Sequence, residues 1–202
     1  MRLRKRVRHS ISLTCVRFHL RPVTLEDAPF IVALRTDPLL NRFVHETSGR
    51  LEDQVTWLER YFERSADYYF IVEDASSGEA HGTMGLYEVA DDASEAIFGR
   101  WIIKRGSMAA LESAWLIYEV GFSLLGLGSV YTLALVQNLS VISFHDSFGA
   151  RRIAVVEGRF TVRGALTAAV EHRVTAAEWP AIRARHYSTI TRVGARHPQV
   201  TR

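Results

Sequence analysis

The pattern of apolar and polar positions is clearest between residues 97 and 150, where it predicts four consecutive elements. Residues 97–103 and 130–136 are short apolar runs of strand length, and the segment between them has apolar residues at helical spacing up to about Leu125. The apolar positions of this helix are Leu111, Ala114, Trp115, Tyr118, Phe122 and Leu125. Asn138 then opens a shorter helix, which ends at Phe148 and Gly149. One apolar stripe of the longer helix is therefore expected to face the core.

The rest of the chain adds strands before this segment and a hairpin after it. We predict strands over residues 18–23, 67–73 and 83–89, helices from the Thr24 cap to about Leu34 and over residues 51–62, a hairpin over 151–174, and a last helix that Thr175 caps with Glu178 and that ends near Tyr187. Thr24 and Asp27 have the spacing of a capping box at the first helix. This order predicts a mixed α/β fold with a central, mostly antiparallel sheet flanked by helices, rather than a doubly wound domain.

Length and composition indicate one domain. A chain of 202 residues with 48% hydrophobic content can build one well-packed core and is short for two. The formal net charge is only +3, and Arg2, Arg4, Lys5, Arg6 and Arg8 supply much of the excess. We expect residues 1–16 to be a basic, solvated tail and residues 189–202 a loose one, with nucleic-acid contact the less favoured interpretation. The single cysteine and the lack of a long apolar run predict a cytoplasmic protein.

The turn before the longer helix is a candidate anion site. It reads Arg105-Gly106-Ser107-Met108-Ala109-Ala110. The free backbone N–H groups of a helix's first turn and the helix dipole attract anions, and Arg105 adds a positive charge just upstream. The N–H groups of Gly106 and Ser107 and the serine hydroxyl could also contact phosphate groups.

From Arg105 onward, the sequence resembles the GNAT superfamily of acyl-CoA-dependent N-acetyltransferases, and within it the RimJ/RimL-like branch. The family's signature is Arg or Gln, two residues, Gly, one residue, then Gly or Ala, and this chain has Arg105, Met108 and Ala110 at those positions. Asn138 and the Phe148-Gly149-Ala150 sequence match the family's later motifs. Met108 replaces a glycine, so its side chain must turn aside if a pyrophosphate is to approach the backbone.

The resemblance implies a fold and a cosubstrate. It extends to residues 54–57, 69–72 and 82–85, so it covers most of residues 17–174. It implies one GNAT domain over residues 17–188, with a sheet that splays at a cleft for acetyl-CoA. The cofactor-binding residues would then be Ile102, Ile103, Arg105, Gly106, Ser107, Met108, Ala109, Ala110 and Asn138. Asn138 would both bind the pantetheine arm and cap its helix.

Acetyl transfer to an amine needs a neutral amine, a stabilised oxyanion and a proton for the departing thiolate. The family commonly supplies that proton from a Tyr on the helix after the Asn, and His145 stands at this position. His145 could protonate the thiolate, or it could be a structural histidine at a helix edge. Glu73, Glu88 and Glu95 are the candidate bases, of which we select Glu88 and Glu95. Gly99 is a suitable site for the bulge that begins the splay.

The family builds its acceptor site from the first two helices and the loop between them. Here that loop holds Arg42, His45 and Glu46, which suit a sugar, a peptide end or an antibiotic amine, and Arg100 could contact an acceptor phosphate or carboxylate. The helix around residues 54–57 resembles that of GNAT enzymes that acetylate nucleotide-linked amino sugars. Acetylation of ribosomal-protein N-termini, which the basic start favours, and a weakly catalytic GNAT-fold binding module remain the alternatives.

The expected partner is therefore a small-molecule amine, with no membrane partner, and homodimer formation is left open. No metal is expected, because none of the eight histidines is paired with another at three- or four-residue spacing.

Overall fold

The computed structural model describes residues 6–44, 46–162 and 164–196, and these residues form one eight-stranded sheet and five α-helices. The strands are β1 (Leu13–Thr14), β2 (Phe18–Pro22), β3 (Tyr68–Asp74), β4 (Ala80–Tyr87), β5 (Glu95–Ile103), β6 (Ser129–Leu135), β7 (Arg151–Val162) and β8 (Ala165–Thr175). The helices are α1 (Ala28–Thr36), α2 (Leu51–Phe62), α3 (Ala109–Glu119), α4 (Leu139–Phe148) and α5 (Trp179–Arg196). Shorter turns are 3₁₀ at Leu25–Asp27 and Asn41–Phe43 and π-helical at Val120–Leu124. This is the mixed α/β architecture predicted from the sequence.

The strand order is β1-β2-β3-β4-β5-β6-β8-β7, and only the pairing of β5 with β6 is parallel. That pairing is brief, because Glu95, Ala96 and Ile97 face Ser129, Val130 and Tyr131, and the described residues of β5 beyond Ile97 have no partner on β6. β6 instead pairs with β8 along its whole length. The sheet therefore divides into a first arm, β1 to β5, and a second arm, made of β6, β8, β7 and the helix α4.

A bulge in β5 accompanies the splay. Between Gly99 and Ile102, three residue steps on β5 oppose two on β4. The extra residue is Arg100, which has a φ of +51°, and its carbonyl accepts a hydrogen bond of 2.9 Å from the hydroxyl of Thr83. A Cβ on Gly99 would lie 2.6 Å from the hydroxyl oxygen of Tyr87. Gly99 is thus required by the packing beside the bulge, while Arg100 carries the backbone strain.

The helix α3 is more deeply buried than one apolar stripe predicts. Leu116 and Ile117 lie off that stripe, and both are 0% exposed. The reason is that α5 packs on α3, where the indole N–H of Trp115 donates to the carbonyl of Arg183 at 3.1 Å. With the sheet on one side and α5 on the other, α3 is buried on more than one face.

The amino-terminal segment joins the fold earlier than expected. Within residues 1–16, β1 pairs with β2, and Ile11 and Cys15 pack against the core. The carboxylate of Glu112, on α3, accepts the backbone N–H groups of Val16, Arg17 and Phe18 at 2.7, 2.7 and 2.8 Å. Arg8 also lies on the domain, with its guanidinium carbon 5.2 Å from the ring centroid of Tyr68. The prediction of a solvated tail is therefore wrong for this part, while residues 1–5 lie outside the described residues.

The carboxyl-terminal helix is also longer than predicted. The N–H and hydroxyl of Thr175 donate to Glu178 at 2.8 and 2.7 Å, and this cap starts α5. The helix continues past Tyr187 to Arg196, so the prediction of a loose segment from residue 189 is wrong up to that point. The capping box of Thr24 and Asp27 is confirmed. No helix in the described part of the chain is long and apolar enough to cross a membrane.

Candidate active site

A cavity of about 850 Å³ lies between the two arms. The first arm lines it with Tyr69, Tyr87 and residues 97–102, and the second arm with residues 132–135, Asn138, Val141, His145 and Phe160. A third wall is formed by residues 43, 44 and 46–48 and by α2. Because β5 has an unpaired edge here, its backbone groups can hydrogen-bond an extended ligand.

The turn between β5 and α3 leaves its backbone accessible. Gly106 stands at φ +75°, and nothing lies within 4 Å of the position a Cβ would occupy. Met108 is 53% exposed, so its side chain does turn outward. The side chain of Arg105 is exposed and forms no hydrogen bond or ion pair with the residues that the structure describes. With the free N–H groups at the start of α3, this turn has the features of an anion site.

Ser107 differs from its neighbours, because its hydroxyl is used within the turn. It accepts the backbone N–H of Ala109 at 3.1 Å and lies 2.8 Å from the Nδ1 atom of His81. The backbone N–H of Ser107 also donates, to the carbonyl of Lys104 at 3.1 Å, so the prediction that Ser107 contacts phosphate groups is wrong for both its hydroxyl and its N–H. On β5, Ile102 lines the cleft, whereas Ile103 packs against the core.

Asn138 lies at the mouth of the cleft, directly before α4. Its side-chain oxygen accepts the hydroxyl of Ser140 at 3.1 Å and caps no backbone N–H group. The predicted capping role is thus wrong, because a serine two residues on competes for the same oxygen. The carboxamide N–H groups have no partner among the described residues and can donate to a ligand.

His145 projects from α4 into the closed end of the cleft, where it is 2% exposed. Aromatic rings surround it, with ring centroids 5.5 Å away at Phe144, 5.8 Å at Trp101 and 5.9 Å at Phe98. Its Nδ1 atom is buried and has no hydrogen-bond partner in the described structure. Burial and the adjacent His172 lower the pKa of His145 to about 3, so the imidazole is neutral at pH 7 and carries one N–H.

Comparison with known proteins assigns the family. The family model described as an acetyltransferase (GNAT) domain matches residues 17–151. The chain belongs to the GNAT acetyltransferase family. Apo FdhC, a nucleotide-linked sugar GNAT, shares 27% sequence identity with this enzyme at a TM-score of 0.74, over 88% of this chain and 97% of FdhC. Spermidine N-acetyltransferase from Vibrio cholerae, solved with CoA and spermine, shares 18% identity at a TM-score of 0.73, over 81% of this chain and 98% of that one.

No curated protein sequence gives a significant match to this GNAT enzyme. Members of this family use acetyl-CoA. The predictions that the chain has the GNAT fold and that it is an acyl-CoA-dependent acetyltransferase are confirmed. Nothing in these likenesses assigns the RimJ/RimL-like branch, which stays a prediction.

The three candidate bases of this GNAT enzyme have different surroundings. Glu88 lines the cleft, at a φ of +51°. Glu95 lies at the closed end of β5, where Arg173 binds it at 2.7 Å, and it does not line the cleft. Glu73 pairs with Arg21 at 2.6 Å. The choice of Glu95 is therefore wrong, and Glu88 is the member of this set that can meet an acceptor.

Arg100 is held in place by its own chain. Its guanidinium donates to both carboxylate oxygens of Asp67 at 2.5 and 2.8 Å, and it lies 4.5 Å from the ring centroid of Tyr87. Asp67 and Arg100 are 7% and 16% exposed in their side chains. The prediction that this guanidinium serves an acceptor phosphate or carboxylate is wrong, because an internal carboxylate already occupies it.

The predicted acceptor loop is only partly at the cleft. Glu46 lines it, Arg42 is exposed and does not, and His45 lies outside the described residues. Among the described residues, no group of three or more His, Cys, Asp or Glu side chains is arranged to hold a metal ion, and the metal-free reaction stays a prediction.

Sequence reasoning missed His172, on β8, which is 0% exposed and whose ring centroid lies 5.4 Å from that of His145. Strand alternation was the available signal, since His172 shares the inward face of β8 with the buried residues Val170 and Val174.

Proposed function

We propose that this enzyme transfers an acetyl group from acetyl-CoA to the primary amine of a nucleotide-linked amino sugar. The observation that carries the proposal is the splayed cleft, which combines an unpaired strand edge, an open anion turn and a buried imidazole. Each of these features suits one part of an acyl-CoA: the extended arm, the pyrophosphate and the thiol.

The residues present fit the cosubstrate. Arg105 and the free N–H groups of the turn and of α3 would hold the pyrophosphate, with Gly106 allowing close approach. The unpaired edge of β5 beside Ile102 would bind the pantetheine arm, together with the side-chain N–H groups of Asn138. When bound, acetyl-CoA supplies an activated acetyl thioester.

His145 is proposed to donate the proton that the departing thiolate needs. A buried imidazole surrounded by aromatic rings keeps its N–H from exchanging hydrogen bonds with bulk water. Because its pKa is lowered to about 3, the resting ring is neutral, so its N–H hydrogen-bonds the departing sulfur, and complete transfer of that proton requires another proton to reach the second ring nitrogen. Glu88 is proposed to receive the proton of the acceptor amine, since it lines the same cleft.

The acceptor side of the cleft supports a nucleotide sugar over a polyamine. Its charged lining mixes Arg35 and Arg64 with the acids Glu46, Asp53 and Glu88, while Arg100 is already paired with Asp67. A polycation is better served by an acidic wall, whereas Trp57, Tyr69 and Tyr87 offer aromatic surface to a base or a sugar ring. The likeness to FdhC, a nucleotide-linked sugar GNAT, supports the same acceptor class.

Two measurements test the proposal. Acetyl-CoA in thermal denaturation should stabilise the protein by about 2.7 kcal/mol at 100 times its dissociation constant. Thiol release should then be fastest with a UDP- or dTDP-linked amino sugar in a panel that also holds N-terminal peptides and spermidine. Preference for peptides would replace the acceptor class with protein N-termini. If millimolar acetyl-CoA gives no thermal shift, the proposal is wrong and the chain is a GNAT-fold binding module.

A further inference from the structure

One guanidinium on the acceptor side of the cleft keeps its hydrogen-bond donors available. Arg64 follows α2 and lines the cleft, and its side chain is 45% exposed. Its Nη1 atom lies 3.6 Å from the Oδ2 atom of Asp67, which is longer than a hydrogen bond. In the part of the chain that the structure describes, the side chain of Arg64 donates no hydrogen bond. Its parallel N–H groups can therefore bind a ligand.

The carboxylate beside Arg64 is already used by another guanidinium. Both oxygens of Asp67 accept hydrogen bonds from Arg100, at 2.5 and 2.8 Å, so two guanidiniums share one carboxylate. The backbone carbonyl of Arg64 also accepts the Nε–H of Arg8 at 2.5 Å, which adds a third guanidinium. These four residues form a cluster with a net positive charge, and such a charge favours an anionic ligand.

Trp57, on α2, fixes the guanidinium of Arg64 at the wall of the cleft. The guanidinium carbons of Arg64 and Arg100 each lie 5.3 Å from the centroid of the Trp57 ring. A cation–π contact of this kind holds the cation over the ring without using its N–H groups as donors to an acceptor atom. Arg64 is thus oriented by the protein while its N–H groups stay available.

The loop that carries Arg64 is joined to the end of the strand that carries the proposed base. The backbone N–H of Val89 donates to the carbonyl of Ala66 at 3.3 Å, and Glu88 directly precedes Val89. Glu88 and Arg64 both line the cleft. In a nucleotide-linked amino sugar, a single sugar ring separates the amine from the diphosphate. An anion site near the base is therefore the arrangement that such an acceptor needs.

We propose that Arg64 binds the diphosphate of the acceptor and selects nucleotide-linked amino sugars over free amino sugars. This inference rests on the acceptor class proposed above. The N–H groups of Arg64 would donate to diphosphate oxygens, and the charges of Arg8 and Arg100 would strengthen the attraction. The anion is thus assigned to Arg64 and not to Arg100, whose N–H groups Asp67 already engages.

The first test measures thiol release at saturating acetyl-CoA, with a UDP- or dTDP-linked amino sugar and with the same amino sugar lacking its nucleotide. Arg64→Ala should raise KM for the nucleotide-linked sugar about 10- to 100-fold, and KM for the free sugar less than about threefold. Arg64→Lys should restore only part of the affinity, because an ammonium cannot make the paired contact. Arg60→Ala is the matched control, since Arg60 is exposed on α2 and does not line the cleft.

A binding measurement makes the test independent of turnover. Calorimetric titration with UDP or dTDP is carried out at saturating CoA, so that the anion turn around Arg105 is already filled. The nucleotide should bind wild type and Arg60→Ala with equal affinity, and Arg64→Ala about tenfold more weakly or less tightly still.

The outcomes separate this inference from the proposed acceptor class. If nucleotide-linked sugars react best but Arg64→Ala and Arg60→Ala change KM equally, the acceptor class stands and the role of Arg64 is overturned. A KM that rises equally for both sugars in Arg64→Ala, with unchanged nucleotide affinity, overturns that role as well. If neither UDP nor dTDP binds wild type and peptides react best, the acceptor class is wrong, and this inference is wrong with it.

Discussion

The two arms of the cleft hold their buried polar groups in opposite ways. On the first arm, Arg100 is bound by both oxygens of Asp67 and enclosed by aromatic rings. On the second arm, His145 and His172 are at most 2% exposed, and each has an unpartnered ring nitrogen. Both groups line or adjoin the same cavity. The paired Arg100 fixes the shape of the cleft, whereas His145 is the buried group to which we assign the proton transfer.

The largest effect is expected on the second arm. His145→Phe should lower kcat about 10²- to 10⁴-fold, the range for general acid–base groups, and leave the dissociation constant of acetyl-CoA unchanged. His145→Tyr should keep much of the activity, because a phenol restores the donor found in the family. Steady-state kinetics with calorimetric titration measures both quantities. Turnover at the wild-type rate in the Phe variant would contradict the role.

A substitution on the first arm is expected to change the free energy of unfolding. Asp67→Asn should lower the free energy of unfolding by about 3–5 kcal/mol, because it leaves the guanidinium of Arg100 buried without its charge partner. Glu52→Gln is the control, since Glu52 and Arg50 are 76% and 70% exposed and lie 3.9 Å apart. Its effect should stay below about 1 kcal/mol. Equal losses in urea denaturation would show that the buried pair does not hold this arm.

A smaller change is expected at the anion turn. Arg105→Ala should raise the dissociation constant of acetyl-CoA about tenfold, as removal of a charge-assisted hydrogen bond does. The matched control is Lys104→Ala, because its ammonium is already bound to Glu79 at 2.6 Å. The control should change the constant by less than about threefold. Similar losses in both variants would mean that general positive charge, and not Arg105, binds the phosphates.

The smallest effect on stability is expected at the junction of the arms. Asn138→Ala should change the free energy of unfolding by less than about 0.5 kcal/mol, because the side chain caps no backbone N–H group. The affinity for acetyl-CoA should still fall. A stability loss near the roughly 1 kcal/mol of a missing cap would restore the capping role that the structure does not show.

The sequence predicted those parts of the site that depend on near neighbours. The turn from Arg105 to Ala110 and the helix between Asn138 and Gly149 are set by local spacing, and Gly149 ends that helix at a φ of +100°. The bulge was expected at Gly99, and it lies one residue further, at Arg100. These features follow from backbone preferences that short segments carry by themselves.

Ion pairs between distant residues could not be predicted in this way. Asp67 is 33 residues from Arg100, and Glu95 is 78 residues from Arg173, so no spacing rule links them. His172 pairs with Asp146 across 26 residues. Asp67 meets Arg100 because β4 joins β3 to β5, and His172 meets Asp146 because the sheet order places β8 beside β6 and brings α4 over it. Roles assigned to charged residues from local sequence therefore changed once their partners were known.

A crystal structure with bound CoA tests most directly whether His145, on the second arm, lies at the reacting sulfur. The imidazole of His145 should lie within about 3.5 Å of the CoA sulfur, as a donor in hydrogen-bond contact must. The pyrophosphate should meet the turn around Arg105. A sulfur more than about 6 Å from that imidazole, beyond direct or single-water contact, would contradict the assignment of His145 to proton transfer.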